Sequence, residues 1–228
     1  MKELKIESIA KIYNDFTTKF GIPRQSGLCE NVVSKIVFHK KYRNPDAFRG
    51  IEEYSHLWLL WYFSESDREG FTPTVRPPKL GGNTRMGVFA TRSPFRPNPV
   101  GLSCVKLLKV EADERQGIVL YVSGADLMNG TEIFDIKPYL PYCDSNADAK
   151  NGFALATSEG RLMVKCEDSL LEKIPQEKRS GLFEVLSQDP RPAYQEDSER
   201  VYVMPFSDFE VAFKVSGDTL EIVELKTV

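Results

Sequence analysis

Apolar and polar positions alternate along much of this chain in short runs. Residues 4–12, 34–38, 86–91, 101–112, 117–123 and 133–137 carry the period-two or β-branched pattern of strands. The most apolar run, HLWLLWYF at 56–63, predicts a strand buried on both faces. Residues 46–54 mix charge and predict a helical turn. The pattern then changes. Residues 167–187 predict helix, with Pro175 near the first turn of a second helix and Asp189-Pro-Arg-Pro ending it. Strands are predicted again at 201–204, 209–215 and 220–225, the last two joined by the hairpin signal Ser216-Gly217-Asp218. Short strands with few helices between them predict an antiparallel barrel or sandwich rather than a βαβ fold. Neither GxGxxG nor a phosphate-binding GxxxxGK loop occurs. A polar link at 144–151 divides the chain into a mainly β domain, residues 1–145, and a small α+β C-terminal domain, residues 146–228.

One stretch follows neither period. Between residues 73 and 99 lie six of the fourteen prolines, with the Gly81-Gly82 pair among them. Proline fixes φ and lowers the entropy of the unfolded segment, so a long irregular loop here can still be ordered. Its charge is also distinctive. Residues 70–110 hold seven basic side chains, Arg76, Lys79, Arg85, Arg92, Arg96, Lys106 and Lys109, and no Asp or Glu. The remainder carries 23 basic and 33 acidic residues, a balance of −10. An acidic body with one acid-free stretch confines positive potential to one place, which suits a phosphate-bearing partner such as RNA.

Composition narrows the classes further. With 228 residues, 41% hydrophobic and 11% aromatic, the chain can bury a substantial core. No apolar run approaches the roughly 18 residues that span a bilayer, and MKELKIESIAKIY lacks the apolar centre of a signal peptide. Cys29, Cys104, Cys143 and Cys166 form no CxxC pair, and His39 and His56 do not complete a zinc motif at the usual spacings. These features predict a reduced, cytoplasmic protein with no membrane segment and no structural metal.

Three segments are candidates for chemistry. Residues 75–103 present Arg76, Arg85, Arg92 and Arg96, whose forked donors match phosphate or carboxylate oxygens. Composition alone fits a solvated arginine loop equally well. Residues 124–142 place Asp126, Asn129, Asp135 and Lys137 at strand ends beside Tyr139 and Tyr142, although a hairpin turn and an Asp135–Lys137 pair would explain the same residues. Residues 188–194 offer Arg191 and Tyr194 for base stacking, or simply end a helix. His56 reads as a core histidine and Cys104 as packing.

The segments PRQSGL (23–28), FRGIEEYSHLWLL (48–60), RPPKLGGNTRMGVFATRSPFRPNPVGLS (76–103), DLMNGT (126–131), DIKPYLPY (135–142) and QDPRPAY (188–194) resemble, in order and over nearly the whole chain, the TsaA-like (TrmO) family. The resemblance implies a β-barrel methyltransferase that uses S-adenosylmethionine and forms homodimers. It implies methylation of N6 of N6-threonylcarbamoyladenosine at position 37 of tRNA, next to the anticodon. By the same likeness Gln25, Ser26 and Gly27 contact the cofactor, as do Ser64 and Glu65, Arg92, Leu102, and Asp126, Leu127, Met128 and Asn129. Relatives often carry His-Gln at the Ser64-Glu65 pair and Asp at the place of Asn129.

That assignment is chemically coherent. Arg92 suits the cofactor's carboxylate and Asp126 its cationic part, while backbone groups near Gly27 and Leu127 suit the adenine edge. Arg76, Arg85 and Arg96 are then expected on tRNA phosphates. Lys137 or Arg96 would meet the threonylcarbamoyl carboxylate. Asp135 and Tyr139 are the expected proton acceptors. Two alternatives stand beside this reading: a nucleotide- or RNA-binding barrel without catalysis, and a small-molecule methyltransferase of the same fold.

Overall fold

The computed structural model describes residues 4–66, 70–77, 80, 83–157, 161–191 and 197–228, so Tyr194, Pro78, Lys79, Gly81 and Gly82 lie outside the described residues. The first part of the chain forms β1 (Ala10–Tyr13), β2 (Val33–Phe38), β3 (His56–Tyr62), β4 (Thr74–Val75), β5 (Met86–Gly87), β6 (Val100–Asp113), β7 (Gly117–Ser123) and β8 (Glu132–Pro138). Six of these close a barrel in the order β1-β2-β7-β6-β3-β8, and β8 returns to pair with β1. Every neighbouring pair is antiparallel. Ile12, Ile36, Leu57, Leu59, Leu120, Val122 and Ile133 fill its interior. Closure leaves no strand edge open to pairing.

Three expectations are corrected. β3 is buried on one face only: Leu57, Leu59 and Trp61 point inward, whereas His56, Trp58, Leu60 and Tyr62 are half-buried outside. A barrel has a single interior, so an aromatic outer face needs another role. The first strand begins at Ala10, where pairing to Phe38 and Ile133 becomes possible, and Leu4 and Ile6 are exposed. The strand expected at 86–91 stops at Gly87. Residues Val88–Ala90 turn as a 3-10 helix, and Val88, its amide bonded to the Pro73 carbonyl, is buried.

The second part contains α1 (Pro141–Asp144), β9 (Met163–Cys166), α2 (Asp168–Leu171), α3 (Gln176–Ser187), β10 (Tyr202–Phe206), β11 (Phe209–Ser216) and β12 (Thr219–Thr227). Its sheet runs β10-β11-β12-β9, with β9 parallel to β12. Pro175 caps α3, whose Leu182, Val185 and Leu186 pack on Phe206, Phe213 and Leu220. Phe16, Cys29 and Val32, from the connection between β1 and β2, belong to this second core. Burying a side chain such as Phe16 contributes up to about 3 kcal/mol, enough to hold that connection in place. Polar contacts reinforce it. Lys178 pairs with Asp15 at 2.5 Å, and Glu184 accepts the Asn31 amide at 2.7 Å. Gly181 permits this approach, because a Cβ there would lie 3.1 Å from the Asn31 carbonyl.

Candidate active site

A cavity of about 710 Å³ opens at the barrel mouth and extends over the outer face of β3 and β6. Its size falls within the ~300–1,000 Å³ typical of small-molecule sites. Trp58, Trp61, Tyr62 and Leu102 form an apolar wall. Residues 22–26 form a second wall, and Thr91 to Arg96 contribute a third. Asp126 and Met128 line the floor, with Ser64 and Glu65 at one end. Lys19 braces that end by donating to the Glu65 carbonyl at 2.8 Å.

Asp126 is the best-defined polar group in it. Ser103 Oγ donates to Asp126 Oδ1 at 2.5 Å, and the buried Trp61 Nε1 donates to Ser103 Oγ at 2.9 Å. Burial raises the Asp126 carboxyl above the usual aspartate value, while the Ser103 hydroxyl, the Arg92 charge and the Ser26 amide partly offset the rise. Across from it the Arg92 guanidinium donates to Gln25 Oε1. The Ser26 hydroxyl accepts the Cys104 amide at 3.1 Å. Cys104 also lines the cavity, and burial pushes its thiol up, against a thiolate nucleophile.

Two glycines position residues 25–27. The Gly27 amide donates to the Gly124 carbonyl at 2.8 Å, and both residues have positive φ, 80° and 78°. A Cβ on Gly124 would stand 3.2 Å from Gly27 N, so a side chain there would push the two segments apart.

The structure thus brings Gln25, Ser26, Ser64, Glu65, Arg92, Leu102, Asp126 and Met128 to one cavity. Others take supporting places. Leu127 is fully buried in the barrel core, and its carbonyl accepts Asn14 Nδ2 at 2.9 Å. Asn129 Oδ1 accepts the Asn14 amide. The Gly27 amide is committed to Gly124 and the Leu127 carbonyl accepts from Asn14, so these contacts fasten the segments that border the cavity. Asp135 and Tyr139 do not line the cavity. Asp135 pairs with Lys137 at 2.7 Å, and Tyr139 packs against Trp58 and His56. Arg96 does line it, but donates to the Thr91 and Ser93 carbonyls at 3.0 and 3.2 Å, which shapes the loop. Arg76 and Arg85 are exposed, and Arg85 donates to Thr74 Oγ1. Arg191 forms a two-pronged pair with Asp189, both contacts 2.9 Å. Trp58 and Tyr62 escape a sequence reading, because a run apolar on both faces conceals which side chains face outward. The indole N–H of Trp58 was the available signal, since it needs a partner, here Asp144 Oδ2 at 2.9 Å.

The residues present fit S-adenosylmethionine: a half-buried carboxylate, a facing guanidinium and aromatic walls complement its ammonium, carboxylate and adenine. Comparison with known proteins agrees. Residues 11–145 match the tRNA-methyltransferase O N-terminal domain, and residues 161–228 match the TrmO C-terminal domain. The chain is 40% identical over 234 residues to the tRNA (adenine(37)-N6)-methyltransferase of Escherichia coli K12, covering 99% of each. A Pseudomonas aeruginosa relative, 38% identical over 213 residues and 90% of each chain, is named for S-adenosylmethionine-dependent methyl transfer. Crystal structures of TrmO from Pseudomonas aeruginosa superimpose with TM-scores of 0.81 and 0.79. They share 30% and 29% identity with this chain, covering 100% and 99% of it and 99% and 100% of theirs. Fold and site define a methyltransferase of the β-barrel class, distinct from the Rossmann-like enzymes. The chain belongs to the TrmO family, tRNA-methyltransferase O.

Proposed function

We propose that this protein methylates N6 of the adenine at position 37 of tRNA, acting on the N6-threonylcarbamoyl form, with S-adenosylmethionine as donor. The observation that carries this reading is the meeting of Gln25, Ser26, Arg92 and Asp126 in one cavity bordered by the acid-free arginine loop. When bound, S-adenosylmethionine supplies a methyl group on a positively charged sulfur. Arg92 holds the carboxylate of the donor and Asp126 balances its positive charge. Trp58, Tyr62 and Leu102 keep water from the reacting atoms. The target nitrogen bears a carbonyl substituent and becomes nucleophilic on losing its proton. Among the described residues the carboxylates lining this cavity are Asp126 and Glu65, and we assign proton acceptance to one of them in preference to Asp135 or Tyr139, which lie outside it. Exposed Arg76 and Arg85 serve tRNA phosphates. The protein acts as a homodimer, in which a second copy covers the open outer face of β6, where Leu102 is 56% exposed. Its place is the cytoplasm, which four free cysteines suit.

The test is methyl transfer from labelled donor to tRNA taken from cells that lack this methylation. Label is expected in threonylcarbamoylated tRNA and absent from tRNA without that group. No transfer, under conditions where the Escherichia coli relative works, refutes the reading. Activity indifferent to salt would point to a small-molecule acceptor instead.

A further inference from the structure

Phe89 is 74% exposed and Phe71 is 52% exposed, large values for phenylalanine in a chain with this much core to fill. They are not scattered. Their rings stack on each other, centroids 6.1 Å apart and planes 26° from parallel. The pair is also held by backbone. Phe71 precedes β4 and Phe89 follows β5, and these strands pair Thr74 with Gly87 and Val75 with Met86. The Val88 amide bonds the Pro73 carbonyl at 3.0 Å, and Arg85 is tied to Thr74 Oγ1. Buried Val88 anchors the turn while its neighbour Phe89 faces outward. Thr91, two residues on and so within roughly 7 Å along the backbone, lines the cavity. A preordered pair of rings is therefore held two residues along the chain from a cavity-lining position, inside a stretch, residues 70–110, with seven basic residues and no acid.

An exposed aromatic face framed by arginines is the recognition chemistry of unpaired nucleotides: the ring stacks on a base and the cations meet the phosphates. An apolar protein partner would gain nothing from the exposed Arg76 and Arg85 of the same loop. The reaction also creates a need for such a surface. A base drawn into the cavity leaves its neighbour without a stacking partner, which costs free energy unless a ring replaces it. We propose that the Phe71–Phe89 pair is a stacking site for the unpaired base flanking the target adenine. It rests on the tRNA reading above.

The experiment uses the full-length protein and an anticodon stem-loop RNA with 2-aminopurine beside the target adenine. Wild type is expected to quench the fluorophore. Phe89→Ala should weaken RNA binding about 5- to 150-fold and lose the quenching. Its cofactor affinity, and the slope of log affinity against log salt, should stay unchanged, since no phosphate contact is removed. Phe89→Trp should restore binding, and Arg85→Ala should lower the salt slope instead. Wild-type affinity in Phe89→Ala overturns the proposal. So does an altered dimer dissociation constant in that variant, which would give the surface to a second copy. Failure of the wild-type protein to bind the stem-loop at all counts against the tRNA reading itself.

Discussion

Asp126 sits in the cavity with its carboxylate fixed by Ser103, whose hydroxyl is fixed in turn by the buried Trp61 indole. Burial raises its folded-state pKa, so the native chain keeps this proton at pH values where the unfolded chain has lost it. The stability this provides is complete below the ordinary aspartate value of about 4 and is lost as pH climbs through the raised one. Asp126→Asn keeps the shape and removes the charge. It should melt higher than wild type at neutral pH and level with it below about pH 4, which thermal melts across pH will show. The same substitution should weaken cofactor binding tenfold or more in calorimetry, because a hydrogen bond to a charged group contributes about 1.5–3 kcal/mol. Equal melting curves at neutral pH would mean that the carboxylate is better solvated than its surroundings imply. Cys29 marks the opposite case. Burial pushes its thiol up to about 12, yet it only fills the second core.

β3 is the element on which fold and site meet. Its inward residues build the barrel, and its outward Trp58 and Tyr62 wall the cavity. Both tryptophans of the chain line that cavity, so titration with S-adenosylmethionine should change the intrinsic fluorescence. Asp144 Oδ2 accepts from both the Trp58 indole and the Leu140 amide at 2.9 Å, and these bonds lower its carboxyl below the usual aspartate range. Asp144→Ala should shift the emission to the red and weaken cofactor binding a few-fold, whereas Asp144→Asn retains an acceptor oxygen and should behave as wild type. The strands were legible in sequence as short β-branched runs, as in β2 and β7, or by alternation, as in β12. β3 hid its two roles because both faces are apolar. β9 went unread, since four residues at a parallel edge carry no usable period. The arginine loop announced its charge but not its geometry. The carbonyl contacts of Arg96 and the bond of Asp135 to Lys137 are not visible in the sequence either. No local pattern brings Gln25 and Asp126 together. Only the motif resemblance did so, and the Gly27–Gly124 contact gives the physical reason.

At the scale of the whole molecule, the second domain acts on a cavity that none of its described residues lines. Asp15, Phe16, Cys29, Asn31 and Val32 are held by α3 and the C-terminal sheet, and residues 22–26 between them form a cavity wall. Glu184→Ala removes the acceptor for both the backbone and side-chain N–H groups of Asn31. It should destabilise the protein by about 1–3 kcal/mol and raise the cofactor dissociation constant, with turnover at saturating cofactor preserved. Unchanged cofactor affinity in a variant of lowered melting temperature would disconnect the domain from the site. The shared connection also has a consequence in time. A ribosome finishes the last barrel strand at Pro138, but the partners of Phe16 and Val32 extend to Leu225. A nascent chain can thus hold a closed barrel whose pocket still lacks one side. The capacity to take up a methyl donor then arrives later in synthesis than the barrel itself, withheld until the C-terminal sheet is made.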